Sequence, residues 1–349
     1  MIRKILYIFF LEFLYPQNKL DAFKKMETET YNNIVEKVVK IKNGYHMIKP
    51  ENAVAGNIGV YEDKKGLILI DNQWKVTKEH VIKALKQISN KEIIYIINTY
   101  FHYDHADGNR AFSKMGIPIV AHTNVKNNLK NDITIHEGFT QPKHPEFALP
   151  NITFEKKMEL NLAEEVIEIF HFGSAHTDGD AVIKFKNANI IHAGDLFVTY
   201  GFPFIDINNG GSLDGFMSTL SKIIDMSNDR TIIIPGHGDL CDKSDVKELK
   251  RKLQFCIDEI KKKKLLGINL NIILNTLKID LGGGGFLMLT GIAIILGDLV
   301  YDRIIGLRLI EQKRDKVRFK YGQNLNLSLR PRISPIKNGI GLSLKFNFG

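Results

Sequence analysis

The 349-residue sequence predicts an α/β fold, layered with a pair of sheets inside, and three observations carry that prediction. Short β-rich runs alternate with amphipathic helical stretches, in two successive batches. No repeat of roughly 20 to 50 residues is present, which excludes solenoids and propellers. Hydrophobic residues make up 44% and charged residues 25% of the chain, a globular balance that excludes disorder, collagen and coiled coil as the whole answer.

The first batch opens with KVVKIKNGYHMIK, NIGVYED and GLILIDN, read as three strands joined by Gly-containing turns. KEHVIKALKQIS follows as a helix, because Val81, Ile82 and Leu85 fall on one of its faces. The strand IIYIINT at 93 to 99 comes next, then a helix around AFSKM, the short strand IPIVAH and further strands between 152 and 170. The second batch comprises the strands AVIKF and NIIHAGD, a helix over LDGFMSTLSKIIDM, the strand TIIIPGH and a helix from Lys243 onward.

The two ends read differently. Arg3 and Lys4 precede an apolar stretch from Ile5 to Tyr15, the layout of a secretory signal or an N-terminal anchor over residues 1–20. Far downstream, Leu281 to Gly297 is an uncharged run of 17 residues, near the lower limit for a membrane span and equally suited to a buried helix. The basic segment that follows it, RLIEQKRDKVRFK, matches the positive-inside rule for an exported protein, with a cytoplasmic location as the alternative. NLNLSL and GIGLSLKFNF then alternate apolar with polar residues and read as a β-hairpin. The expected division is therefore 1–20, a body over 21–265, and an extension over 266–349 that ends in a β-rich basic tail.

The net charge of +9 belongs mainly to that tail, since residues 1–270 carry 36 Lys+Arg against 34 Asp+Glu. The body thus has no electrostatic footprint for nucleic acid, and a small-molecule substrate is the expected partner. Cys241 and Cys256 exclude a disulfide framework and a four-sulfur zinc site, leaving a single bridge or two buried thiols.

Chemistry concentrates where strands end. TYFHYDHADGN, from Thr99 to Asn109, offers His102, Asp104 and His105, two imidazoles and a carboxylate within four residues, a set suited to zinc. In an extended segment His102 and Asp104 project to one side, and the turn at Asp107–Gly108 can swing His105 alongside. His176 lies on a Gly-bounded loop in GSAHTDGDAVI, Asp195 follows the apolar NIIHA, and His237 follows TIII behind Pro235 and Gly236. Any one of these has a structural reading; four strand ends that each offer His or Asp make coincidence a poor explanation.

In order and in flanking residues, these pieces together with GLILID resemble the metallo-β-lactamase superfamily over about residues 38 to 262. The resemblance implies a four-layer αββα sandwich with a metal site at one edge of two packed sheets. It also implies one metal site from His102 and His176, a second from Asp104, His105 and His237, and Asp195 bridging the two. Asp71 falls where the family often uses a carboxylate that orients ligands, although a turn or cap role fits it nearly as well. His122 and His192 match no ligand position and are assigned to packing or hydrogen bonding. The departure is Tyr100, which replaces the first histidine of the HxHxDH signature. Phenol ligates zinc poorly unless deprotonated, so one tight zinc and a second weak or absent one are expected, with Tyr100 left as a ligand or substrate contact.

Zinc with open coordination lowers the pKa of bound water to about 7, so the expected activity is hydrolysis by a metal-bound hydroxide. Asp104 is the expected catalytic group, orienting the nucleophile and accepting its proton. The resemblance supports ester, lactone, thioester or β-lactam substrates without choosing among them; Phe202, Phe204 and Asn208 to Gly211 could form an apolar substrate wall or ordinary packing. The alternative is a metal-poor, non-catalytic binding or membrane-anchored scaffold protein.

Overall fold

The structure, a computed structural model, describes residues 19–136, 138–265, 326–333 and 340–347. Apart from its last two residues the expected leader, 1–20, lies outside the described residues, as does the apolar run 281–297. Among the described residues no helix is long and apolar enough to cross a membrane. The chain divides into two compact units, 1–268 and 269–349.

The first half of the larger unit runs α1 (Lys19–Asn33), β1 (Val35–Lys42), β2 (Tyr45–Glu51), β3 (Ile58–Glu62), β4 (Leu67–Ile70), α2 (Lys78–Leu85) and β5 (Ile93–Ile97). It continues with α3 (Tyr103–Ala106), α4 (Asn109–Phe112), β6 (Ile119–His122), α5 (Thr123–Leu129), a small hairpin of β7 (Ile133–His136) and β8 (Phe139–Gln141), and β9 (Ile152–Phe154). The second half runs β10 (Lys157–Asn161), β11 (Val166–Phe170), β12 (Val182–Phe185), β13 (Ile190–Val198), α6 (Leu213–Asp225), β14 (Ile232–His237) and α7 (Lys243–Leu265).

Strands β1-β2-β3-β4-β5-β6-β9 form a seven-stranded sheet and β10-β11-β12-β13-β14 a five-stranded one. The first is antiparallel through β4 and parallel beyond it; the second is antiparallel except for the β13–β14 pair. Burial explains the layering. Ile68, Ile70, Ile97 and Val120 of one sheet meet Ile167, Ile169, Ile183 and Ile234 of the other in a shared apolar layer. The outer face of the seven-stranded sheet packs on Val81, Ala84 and Leu85 of α2. That of the five-stranded sheet packs on Phe216, Leu220 and Ile223 of α6 and Val246, Leu249 and Leu253 of α7. β4 is buried throughout and β5 and the start of β14 largely so, and these read as apolar runs in the sequence, whereas β13 is buried throughout with His192 and Asp195 inside it. The result is an αββα sandwich.

Three local expectations are corrected. KVVKIKNGYHMIK is not one strand but the β1–β2 hairpin, because Asn43–Gly44 is a two-residue turn pair. The α2 helix stops at Leu85, with Ile82 only half-buried. The segment after His102 is helical, not extended, with His102 as the residue preceding α3. Helix α1 was not anticipated; its Phe23 packs on Trp74, ring centroids 5.2 Å apart.

In the second unit β15 (Asn326–Ile333) pairs antiparallel with β16 (Ile340–Asn347), from Asn326 opposite Asn347 to Ile333 opposite Ile340.

Candidate metal centre

The parallel strands β4 and β5 end side by side, and their ends carry the first group of residues. Asp71 follows β4 at φ 66°, a left-handed conformation that aspartate tolerates better than most residues. Its Oδ1 accepts the Thr99 N–H at 2.7 Å, and its Oδ2 accepts the Thr99 hydroxyl at 2.7 Å and lies 2.8 Å from His105 Nδ1. Asp71 therefore fixes both the strand end and the ring, leaving His105 Nε2 to face inward. Asp104 and His105 sit in the first turn of α3, two and three residues past His102, and are buried.

The second group comes from the other sheet. Asp195 lies within β13 rather than after it, where a register shift beside Gly194 breaks the pairing with β14 and aims the carboxylate out of the sheet. His237 ends β14. Glycines let backbone approach these side chains: a Cβ on Gly236 would fall 1.9 Å from Asp195 Oδ1, and one on Gly56 would fall 2.4 Å from His105 Cε1. Asn57 ties the two sheets together beside the site, its Nδ2 donating to Pro235 O at 2.9 Å and Gly238 O at 3.0 Å.

Asp104, His105 and His237 thereby converge. His237 Nε2 lies 3.1 Å from Asp104 Oδ2 and 3.3 Å from His105 Nε2, and His105 Nε2 lies 3.7 Å from Asp104 Oδ2. Two ligands on a tetrahedral zinc, at bonds of about 2.0–2.2 Å, stand about 3.3–3.6 Å apart. The three atoms therefore outline one face of such a site. Asp195 Oδ1 lies against the edge of that face, 3.2 Å from His105 Nε2 and 3.4 Å from His237 Nε2, yet it is buried without an aligned hydrogen-bond donor. Four ligand-type atoms crowded this closely, one of them without a hydrogen-bond partner, fit a cation shared among them. This trio is the metal-capable group of His, Cys, Asp and Glu found among the described residues.

Electrostatics agree. Burial alone would lower the pKa of His105, but the carboxylates of Asp195, Asp104 and Asp71 outweigh it and hold the ring well above the usual histidine range. His237 is likewise pushed up to about 10, as Asp195 and Asp104 overcome burial. Burial opposes ionisation of Asp195, but His237 and His105 hold its carboxyl well below the usual range, and Asp104 is lowered by the same two rings. Positive charge is what this face attracts.

His102 and His176 face a different neighbourhood. His102 Nε2 lies 2.9 Å from Asp206 Oδ2, and His176 Nδ1 lies 2.7 Å from the carbonyl of Phe204. Their rings are 5.0 Å apart, and His176 Nε2 is buried without a partner, 3.9 Å from Asp195 Oδ2. Tyr100 fills the centre. Its ring lies 4.8 Å from that of His102, 4.7 Å from His105 and 4.7 Å from His176, and its hydroxyl is buried without a partner. Burial, then Asp195 and Asp104, raise the phenol well above its usual pKa, so it is neutral here. Burial also holds His176 to about 4, a neutral ring with an inward lone pair.

The remaining histidines lie off the site. His122 hydrogen-bonds Asn124 N and Glu155 O and stacks on His171 at 3.8 Å; His192 is buried in β13 behind Gly59. Cys241 and Cys256 are free thiols. Sequence reasoning missed Asp206, whose signal was a lone Asp ahead of Asn209, the residue its Oδ2 accepts from at 2.7 Å. It missed Gly56 and Gly236 as contact glycines. Of the expected apolar wall, Phe204 stands beside the site, 6.3 Å from the His102 ring and 6.0 Å from His176. Tyr200 was not singled out, and its ring lies 5.7 Å from His237.

A family model described as the metallo-β-lactamase superfamily matches residues 52–237. A probable metallo-hydrolase of Methanocaldococcus jannaschii is 25% identical over 181 residues, spanning 50% of this chain and 84% of that protein. Among solved structures, the DIM-1 metallo-β-lactamase is similar at TM-score 0.51 and 19% identity, over 64% of this chain and 99% of that one. A metallo-β-lactamase from Pontibacter korlensis is similar at TM-score 0.52 and 18% identity, over 63% of this chain and 99% of its own. At such identities these two structures speak to the fold alone.

Proposed function

The chain belongs to the metallo-β-lactamase superfamily, whose members include metal-dependent hydrolases, and we propose that it is a zinc hydrolase cleaving an ester, lactone, thioester or β-lactam bond in a small molecule. The observation that carries this reading is the face formed by Asp104 Oδ2, His105 Nε2 and His237 Nε2, with edges of 3.1, 3.3 and 3.7 Å. A zinc ion held by Asp104, His105 and His237 would supply an activated water and a Lewis acid for the scissile carbonyl.

The chain's own residues do the rest. Asp104 uses Oδ2 in the face, and its ionised carboxylate is the group to take a proton from the attacking water. Asp71 presents His105 through Nδ1, so that Nε2 keeps its lone pair for the ion. Asp195 stands between the two groups of histidines and extends the negative field toward His176. Tyr100 brings a neutral hydroxyl where a further imidazole would be needed, so one tight zinc and a weak or absent second one are proposed.

Metal analysis of the purified full chain, with an ester, thioester, lactone and β-lactam panel, tests this. About one zinc per chain with turnover of a panel member is expected. A protein that binds no zinc and turns over no substrate would favour the non-catalytic scaffold. Export, with the basic tail inside, is a separate part of the proposal: protease on intact cells should digest residues 21–265 and spare the tail, and recovery of the whole chain in the soluble cytosol rejects it.

A further inference from the structure

The surroundings of the trio are one-sided in charge. Segments 51–57, 98–109, 171–180, 195–212 and 235–242 carry every residue of the candidate site except Asp71, and none contains a lysine or arginine. They hold nine acidic residues, Glu51, Asp104, Asp107, Asp178, Asp180, Asp195, Asp206, Asp239 and Asp242, of which Asp180 is pushed up to about 8 by burial and keeps its proton at neutral pH. The cations that reach these segments are spent. Lys49 Nζ pairs with Asp239 at 2.5 Å, and Arg110 Nε pairs with Asp107 at 2.6 Å.

The rim is apolar as well. Tyr200, 60% exposed, stands over His237, and Ile207, 67% exposed, follows Asp206. Val54, 51% exposed, lies two residues before Gly56, whose backbone touches His105. Phe204 flanks both His102 and His176. Large apolar side chains left in water beside a buried polar centre mark a ligand's contact surface. A site that recognises a carboxylate or phosphate needs a cation or a converging set of N–H donors, and an unpaired anion on a negative rim is disfavoured.

We infer that the substrate is a neutral ester or lactone with an apolar acyl or aryl group held by Tyr200, Phe204, Val54 and Ile207, and not a carboxylated β-lactam, a phosphodiester or an acyl group on an anionic thiol carrier. This rests on the hydrolase reading and narrows its substrate class. A single ion sharpens the point, because one metal charge set against Asp104 and Asp195 leaves no surplus to draw in an anion.

The zinc-loaded full chain would be assayed with p-nitrophenyl butyrate, mono-p-nitrophenyl succinate, nitrocefin and bis(p-nitrophenyl) phosphate. The butyrate should exceed the succinate, which differs by one terminal carboxylate, by about tenfold in kcat/KM, the effect of one unfavourable charge contact. Tyr200→Lys should close that gap, and Tyr200→Ala should raise KM for the butyrate more than it lowers kcat. A binding arm needs no turnover: by calorimetry the metal-free chain should bind butyranilide more tightly than succinanilic acid. Preference for the carboxylated member in either arm, or equal binding of the two anilides, overturns the inference. Butyranilide preference without hydrolysis of any ester supports the inference and overturns the hydrolase reading alone.

Discussion

Two groups of histidines meet at one edge of the sandwich, and they are held by different physics. His105 and His237 stand among three carboxylates, with the atoms of the face 3.1–3.7 Å from one another. His102 and His176 are held from behind by Asp206 and a carbonyl, and their inward space is filled by the ring of Tyr100. One group is an electrostatic trap; the other is packed like a core. The difference teaches that family membership does not settle how many ions a site holds. In this chain the ring of Tyr100 occupies the space that the second group encloses.

The largest effect is expected on the charged side. Asp104→Asn removes a carboxylate of the face and the proton acceptor of the proposed reaction, and hydrolysis should fall by about 10²–10⁴-fold. Zinc content should fall with it by elemental analysis, and retained zinc with full activity would break the distinction between the groups.

Next comes a paired test of the two supports. Asp71→Asn keeps a residue that accepts the left-handed backbone but weakens the hold on His105, and should cost about 10–100-fold in zinc affinity. Asp206→Asn acts only behind His102, so the tight zinc should keep its affinity while Tm falls; competition with a chromogenic chelator reads the first and calorimetry the second. Equal loss of zinc affinity in both variants would make the groups equivalent.

Tyr100→His should move zinc from one toward two per chain, about a twofold change. Hydrolysis should rise if the phenol merely fills the space, and fall despite the extra metal if its hydroxyl bonds the substrate. No gain in zinc would show that the packed group is closed for reasons beyond Tyr100.

The smallest effect concerns a support beneath the charged side. Gln73 Nε2 donates to the Gly56 carbonyl at 2.9 Å and reaches Glu36 Oε2 at 3.5 Å. Burial raises the Glu36 carboxyl from its ordinary 4.5 to about 7, against the pull of Gln73. The folded state thus keeps a proton that the unfolded chain has lost, and this stability contribution falls as pH climbs from 4.5 to about 7. Glu36→Gln should therefore raise Tm at pH 8 and do little at pH 4, as thermal melts across that range would read.

Much of this architecture is legible in the residues, for a physical reason. The apolar runs of β4, β5 and β14 stop sharply, and the polar residues at or after those stops, Asp71, His102 to His105 and His237, are ones the sheets aim, while Asp195 lies inside β13. The hairpin inside KVVKIKNGYHMIK was hidden because its two strands share a half-buried, charge-rich pattern that continues through Asn43–Gly44. Asp206 was hidden because its task depends on a loop returning 104 residues later to meet His102. Gly56 and Gly236 were hidden because what a glycine must avoid is visible only when the opposing side chain is in place. Tyr100 is the reverse case: the signature exposed the exchange, while the three rings around it supply its meaning.

Asn57 carries a consequence of its own. It lies immediately before β3 of one sheet, yet its amide donates to the carbonyls of Pro235 and Gly238 at the end of β14 in the other, and its N–H donates to the Gly236 carbonyl at 2.7 Å. The sheets are therefore latched at this edge by backbone and amide bonds that owe nothing to an ion. An incoming ion meets donors already in register, and little of its binding free energy is lost to ordering the chain. Stripping the ion should accordingly leave the jaws shut.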